Sequence, residues 1–206
     1  METQKFGLKR LGNLLYVDGK DDVYFAEIFD SGTGLTPELE ERFYRLYWGK
    51  LMGVAHRYMP DRESAREVVN DSFVKAFKKL PAFRGEGPDK SVILLAWLTR
   101  ITVNTAIDRL RVLRTWPEMV SIDKVENQPT VEMDDRLQLE DMLRLIQGLP
   151  DLHRVVFNLY ELEGYSHEEI GQMMKIPTSS SRVYLAKAKQ ELRALYINYF
   201  GGRYDG

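Results

Sequence analysis

The chain has 206 residues and a formal net charge of −2, with 44% of its residues hydrophobic and no cysteine. That composition supports a packed core and excludes wholesale disorder, while the missing thiols exclude disulfides, thiolate metal sites and cysteine nucleophiles. The three histidines, His56, His153 and His167, are too scattered in sequence for a histidine metal centre.

The first residues, Met1 to Gly7, lack a basic region followed by an apolar stretch, so no signal peptide is expected. Within 1–36, Leu14–Val17, Asp18-Gly19 and Val23–Phe25 carry the marks of a hairpin around an Asp-Gly turn. Gly32 and Gly34 suit a poorly ordered arm equally well. From Pro37 the pattern is helical: Leu39, Phe43, Leu46, Tyr47, Leu51, Ala55 and Tyr58 recur at spacings of three and four. Pro60-Asp61 closes that helix and caps the next, expected over 62–80, whose stripe is Ala65, Val68, Val69, Phe73, Ala76, Phe77 and Leu80. Pro81 stops it, and Phe83–Lys90 reads as a loop through Gly85, Gly87 and Pro88.

A third long helix is expected from Ile93 to about Arg114. The longest apolar run, Val92–Leu98, falls short of the ~20 residues that cross a bilayer, so no membrane insertion and an intracellular location are expected. Residues 115–133 read as a linker, with Pro117, Pro129 and several acids breaking any period. A second helical set follows over about 135–147, 151–162, 166–174 and 178–196. Ser166 and Glu169 form a capping-box pattern before the third of these, and Ile176-Pro177 makes the turn before the fourth. No strand alternation follows residue 37, so the fold class is all-α: two small helical bundles joined by a flexible linker.

Charge is distributed unevenly. Arg100, Arg109, Arg111 and Arg114 face one acid, Asp108, within 96–114; Arg182, Lys187, Lys189 and Arg193 face Glu191 within 178–193. The stretch 115–141 between them carries eight acids against Lys124 and Arg136. Local patches, not total charge, govern binding to phosphates. A short capped helix, a tight turn and a longer basic helix over 166–192 are the parts of a helix-turn-helix, whose second helix enters the major groove. Wound at about 100° per residue, that helix puts Ser181, Leu185, Ala188 and Leu192 on one side and Ser179, Ser180, Val183, Ala186, Lys187 and Gln190 on the other. Arg182 and Lys189 lie on a flank, suited to phosphates. A solvated terminal helix packed on its neighbours would show much of the same pattern.

Two further segments stand out. Phe83-Arg84-Gly85 precedes an apolar helix that turns polar and basic through Asn104, Asp108 and Arg109. Aromatics beside cations can clamp unpaired bases, although Phe83 and Trp97 also suit a core and Asn104 and Asp108 a solvated pair. The helix 62–80 carries Glu67, Asn70, Asp71 and Lys75 opposite its apolar stripe, a pattern an ordinary exposed face also shows.

Together, in this order and spacing, these segments resemble the extracytoplasmic-function (ECF) group of RNA polymerase sigma factors, which keep only the second and fourth sigma domains. The resemblance covers roughly 38–198. It implies a region 2 domain over 37–114, an acidic linker over 115–133, a helix-turn-helix region 4 domain over 134–198 and a tail over 199–206; residues 1–36 form an N-terminal extension longer than the family's usual short lead. The segment Glu67–Phe77 is similar to the family's polymerase-binding helix, implying core RNA polymerase contacts at Glu67, Asn70, Asp71 and Lys75. Phe83, Arg84, Asn104, Asp108, Arg109 and Arg111 match the reader of the promoter's minus-ten element. Ser179, Ser180, Arg182, Val183, Lys187 and Lys189 match the reader of the minus-thirty-five element. The implied partners are core RNA polymerase, promoter DNA and an anti-sigma factor, for a cytoplasmic protein that is monomeric when free, with no cofactor, no metal and no catalytic residue. The alternative is a sigma-like helix-turn-helix regulator that binds DNA without engaging polymerase; the 62–80 helix, which such a regulator does not need, discriminates the two.

Overall fold

A computed structural model describes residues 36–84, 90–113 and 139–200. The candidate hairpin near residues 14–25, Gly85–Asp89, the linker 115–133 with Arg114, and residues 201–206 of the tail lie outside the described residues. Among those described, all regular structure is helical: α1 is Pro37–His56, α2 Arg62–Lys79, α3 Lys90–Leu113, α4 Leu139–Gln147, α5 Asp151–Phe157, α6 His167–Met174 and α7 Thr178–Phe200. They part into two compact units between Leu110 and Arg111.

In the first unit, Thr36 and Asp61 cap α1 and α2 as their sequences require. The Leu39 N–H donates to Thr36 Oγ1 at 3.4 Å, and the Ser64 N–H to Asp61 Oδ1 at 2.8 Å. Helix α1 packs on α2 through the expected stripes. Phe43, Tyr47, Leu51, Ala55 and Tyr58 are fully buried, as are Ala65, Val68, Val69 and Ala76. Phe43 sits at the centre of a ring cluster, with centroids 4.9 Å from Tyr47, 5.7 Å from Phe77 and 6.2 Å from Phe73. A 3₁₀ turn at Leu80–Ala82, with Pro81 inside it, ends α2.

Helix α3 begins three residues before the expected Ile93, with Ser91 buried. Leu94, Leu95, Leu98, Val103, Ala106, Ile107 and Leu110 are all buried along it. Three threonines are buried too, and two of them donate back along the helix, Thr102 to the Leu98 carbonyl at 3.0 Å and Thr105 to that of Ile101 at 2.8 Å. Over Lys90–Val112 its mean hydropathy reaches 1.2 and its length suffices for a bilayer, which the short run Val92–Leu98 did not suggest. With 61% of that window buried inside the protein, it reads as a core helix.

In the second unit, α7 packs against α4, α5 and α6. The helix expected over 151–162 changes at Asn158 into a π-helical turn, Asn158–Leu162. The Glu163 N–H donates to the Asn158 carbonyl at 3.0 Å and the Tyr165 N–H to that of Leu159 at 2.9 Å, with Gly164 at φ +78° carrying the chain round. Helix α7 runs four residues beyond the expected 196. Arg154, 5% exposed, ties the unit's first turn together by donating to the Gln147 and Leu149 carbonyls at 3.1 and 3.3 Å and to Asp151 Oδ1 at 2.5 Å.

Candidate nucleic-acid interface

The helix-turn-helix is built by α6 and α7. The capping box forms as its sequence requires: the Glu169 N–H donates to Ser166 Oγ at 3.2 Å, while the Ser166 N–H donates to Glu169 Oε2 at 2.8 Å. The turn is tight. Lys175 holds a left-handed conformation at φ 55°, and its N–H donates to the Gly171 carbonyl. Gly171 lies so close beneath the turn that a Cβ there would stand 2.9 Å from the Ile176 carbonyl oxygen. Gly171→Ala is therefore expected to push α6 away from the turn and cost about 1–3 kcal/mol. Urea unfolding measures that cost, and DNA anisotropy would follow the loss of the paired helix geometry.

Helix α7 turns Ser181, Tyr184, Leu185 and Ala188 inward. It also turns Ser180 inward, at 8% exposure, which corrects the expectation that Ser180 stands on the open face. Ser180 lies one turn before Tyr184 and shares its buried side. Ser179 and Arg182 are exposed; Val183, Ala186 and Lys187 are half-buried. Lys189 meets Glu161 of the π turn at 2.7 Å, where the Glu161 side chain is 8% exposed. The flank position expected for Lys189 thus serves an internal ion pair that fastens α7 to that turn.

Two residues the sequence did not single out complete this end of the domain. Tyr160 stacks on His167, centroids 4.4 Å apart and planes inclined by 20°. His167 Nδ1 shares a hydrogen bond with Ser181 Oγ at 3.0 Å, giving the buried hydroxyl its partner. Tyr160, Ser166, His167, Glu168, Thr178 and Arg182 line an open hollow of about 430 Å³ at the start of α7. Burial, then the charges of Arg182 and Lys189, hold the His167 pKa below the usual imidazole value. The unfolded chain therefore takes up this proton more readily than the folded one. Stability is whole above about pH 6.5, the imidazole's unfolded value, and falls as pH drops below it. A lower melting temperature at pH 5.5 than at pH 7.5 is expected, with the difference narrowed in His167→Gln; equal differences would remove His167 as the cause.

In the first unit, α2 and α3 meet through polar side chains. Glu67 is ion-paired with Arg109. Lys75 Nζ donates to Thr105 Oγ1 at 3.0 Å and lies 3.9 Å from Asp108. Asn70 accepts a hydrogen bond from the Tyr44 hydroxyl at 3.1 Å, while Asp71 and Val74 stand exposed on the same helix. Near the other end of α3, Phe83 packs on Trp97, ring centroids 4.8 Å apart, with both rings half-buried. Arg84 is exposed and donates to the Pro81 and Phe83 carbonyls at 2.9 and 3.1 Å. Asn104 and Asp108 are exposed, and Arg111 is half-buried.

Two family models match the chain: Sigma-70 region 2 over residues 43–115 and Sigma-70, region 4 over 139–192. An ECF RNA polymerase sigma-E factor of Salmonella typhimurium is 30% identical over 159 residues, which cover 71% of this chain and 80% of that protein. The sigma-E factor of Escherichia coli K12 is 29% identical over the same span, and an RNA polymerase sigma-H factor of Pseudomonas aeruginosa 27%. The sigma factor RpoE solved with the anti-sigma factor NepR from Bartonella quintana aligns at a TM-score of 0.45 and 20% identity, covering 75% of this chain and 94% of that one. Sigma-70 regions 2 and 4, matched in this order, define a transcription initiation factor. The chain belongs to the sigma-70 family of RNA polymerase sigma factors, in its ECF group. It is an alternative sigma factor that directs RNA polymerase to promoters, and the reading as a regulator that leaves polymerase alone is set aside.

Proposed function

We propose that the region 2 domain, over 37–114, docks on core polymerase and opens the minus-ten element, while the region 4 domain, over 134–198, grips the minus-thirty-five element. What supports the division most is α7 itself: a helix-turn-helix whose second helix leaves Ser179, Arg182, Val183 and Lys187 on its outer side. Ser179 and Arg182 hold phosphates there, and Lys187, with Val183 beside it, reaches base edges. Lys189 supports α7 through Glu161.

On α2, Glu67, Asn70 and Asp71 pair with basic side chains of the polymerase, and Lys75 steadies the face through Thr105 and Asp108. Phe83, Arg84 and Asn104 hold an unstacked base of the non-template strand, which offsets the few kcal/mol lost on unstacking it. Arg109 and Arg111 hold the backbone beside it. The protein acts in the cytoplasm, performs no catalysis of its own, and is held in check by an anti-sigma factor that masks its polymerase-binding face.

Asp71 is exposed on the proposed docking face, so its replacement tests the surface without disturbing the core. Asp71→Arg is expected to abolish association with core polymerase in a pull-down while leaving the helical circular dichroism intact. Run-off transcription from a genomic fragment library then tests the whole reading. New, discrete start sites with the wild-type chain, lost with Asp71→Arg, are the expected result; polymerase association unchanged by Asp71→Arg would sink the docking assignment.

A further inference from the structure

The side chains assigned to two different partners are already occupied by one another. Arg109, assigned to DNA, is held by Glu67, assigned to polymerase, across the gap between α3 and α2. Neither is deeply buried: Arg109 is 31% and Glu67 47% exposed along the side chain. A second carboxylate adds to the effect. Asp61, held below the usual carboxylate range chiefly by the Ser64 N–H and hydroxyl, also feels the Arg109 charge. One guanidinium is thus neutralised by the first two turns of α2. A phosphate approaching Arg109 meets Glu67 as a competitor of the same sign.

We propose that the Glu67–Arg109 pair is an exchange contact: it withholds Arg109 from DNA in the free sigma factor and releases it when a basic side chain of the polymerase takes Glu67. The inference rests on the docking and minus-ten assignments above. Its chemistry is a swap of partners. Before docking, the carboxylate and the guanidinium satisfy each other. After docking, the carboxylate meets a polymerase cation and the guanidinium meets a phosphate, so every charge stays paired. Both partners are half-exposed, which keeps the swap small and reversible; an exposed pair of this kind shifts an equilibrium by about three- to fivefold. The neighbouring contacts of Lys75 with Thr105 and Asp108 hold α2 and α3 in register while the pair opens.

The test uses the full chain, free and as holoenzyme with core polymerase. Binding of the free chain to a short fluorescein-labelled DNA single strand of randomised sequence is read by anisotropy, since a phosphate contact needs no particular bases. Glu67→Gln is expected to tighten it about three- to fivefold and to steepen the salt dependence by about 0.7 in log–log slope, one phosphate's worth on a single strand. Arg109→Ala is expected to cancel the gain when combined with Glu67→Gln. Asp71→Asn removes the same charge from the same helix without touching Arg109 and is expected to give no gain. In holoenzyme, Arg109→Ala is expected to weaken open-complex formation.

A gain that is absent in Glu67→Gln, survives in the double variant, or appears equally in Asp71→Asn overturns the exchange. If holoenzyme still loses open complexes on Arg109→Ala, the exchange falls alone and the assignment of Arg109 to DNA stands. An Arg109→Ala variant without effect in either state overturns both.

Discussion

Phe43→Ala is expected to destabilise the first unit by about 3–5 kcal/mol, a large part of the roughly 5–15 kcal/mol that holds a typical domain together. The ring is fully buried, and Tyr47, Phe73 and Phe77 close around it from α1 and α2. Truncation removes the transfer free energy of the ring and leaves a void that three rigid aromatic neighbours fill poorly. Edge and tilted ring contacts worth about 0.5–1.5 kcal/mol each vanish with it. Hydrogen exchange at the α2 amides reads the loss directly, and Phe43→Leu should recover much of it. A change under about 1 kcal/mol would mean that the cluster repacks freely, contrary to the close-packed core described above.

Arg154→Ala is expected to cost the second unit a comparable amount, about 3–5 kcal/mol, by a different route. The guanidinium is the common donor for two carbonyls at the end of α4 and for the carboxylate that opens α5. Its removal strands the buried Leu149 carbonyl and takes the Arg154 cation away from Asp151, whose side chain is only 15% exposed. Arg154→Lys should recover less than half, because a point charge on a flexible stem cannot reproduce the planar fork. Thermal melting followed by circular dichroism, with amide exchange in α5, checks both variants; a full rescue by lysine would show that charge alone matters there.

Much of this was legible in the sequence, and the reason is periodicity. The stripes of α1 and α2 lie where spacings of three and four put them, since a helix face is a local property of the chain. The capping box at Ser166 and the Ile176-Pro177 turn were readable for the same reason. Ser180 was misplaced because the buried face of α7 is set by what covers it. Tyr184 turns inward despite its hydroxyl and brings Ser180, one turn earlier, with it. The pairing of Lys189 with Glu161, the stacking of Tyr160 on His167 and the ion pair of Glu67 with Arg109 were beyond reach. Each joins residues on separate elements, and spacing along the chain says nothing of how two elements meet. Gly171 looked like one glycine among fifteen until the Ile176 carbonyl was found resting against it.

The division of α7 into an inward and an outward side has a practical consequence. Ser180, Ser181, Tyr184, Leu185 and Ala188 are committed to the domain's interior, and Lys189 to Glu161. Ser179, Arg182, Val183, Ala186 and Lys187 are not, and together they make a short cassette that can be rewritten while the scaffold stays as it is. On the proposed assignment of α7 to the minus-thirty-five element, randomising those five positions and selecting on altered upstream elements is expected to yield sigma factors that ignore one another's promoters. Several could then run in one cell as insulated gene-expression channels, each addressed by a few side chains on a single helix.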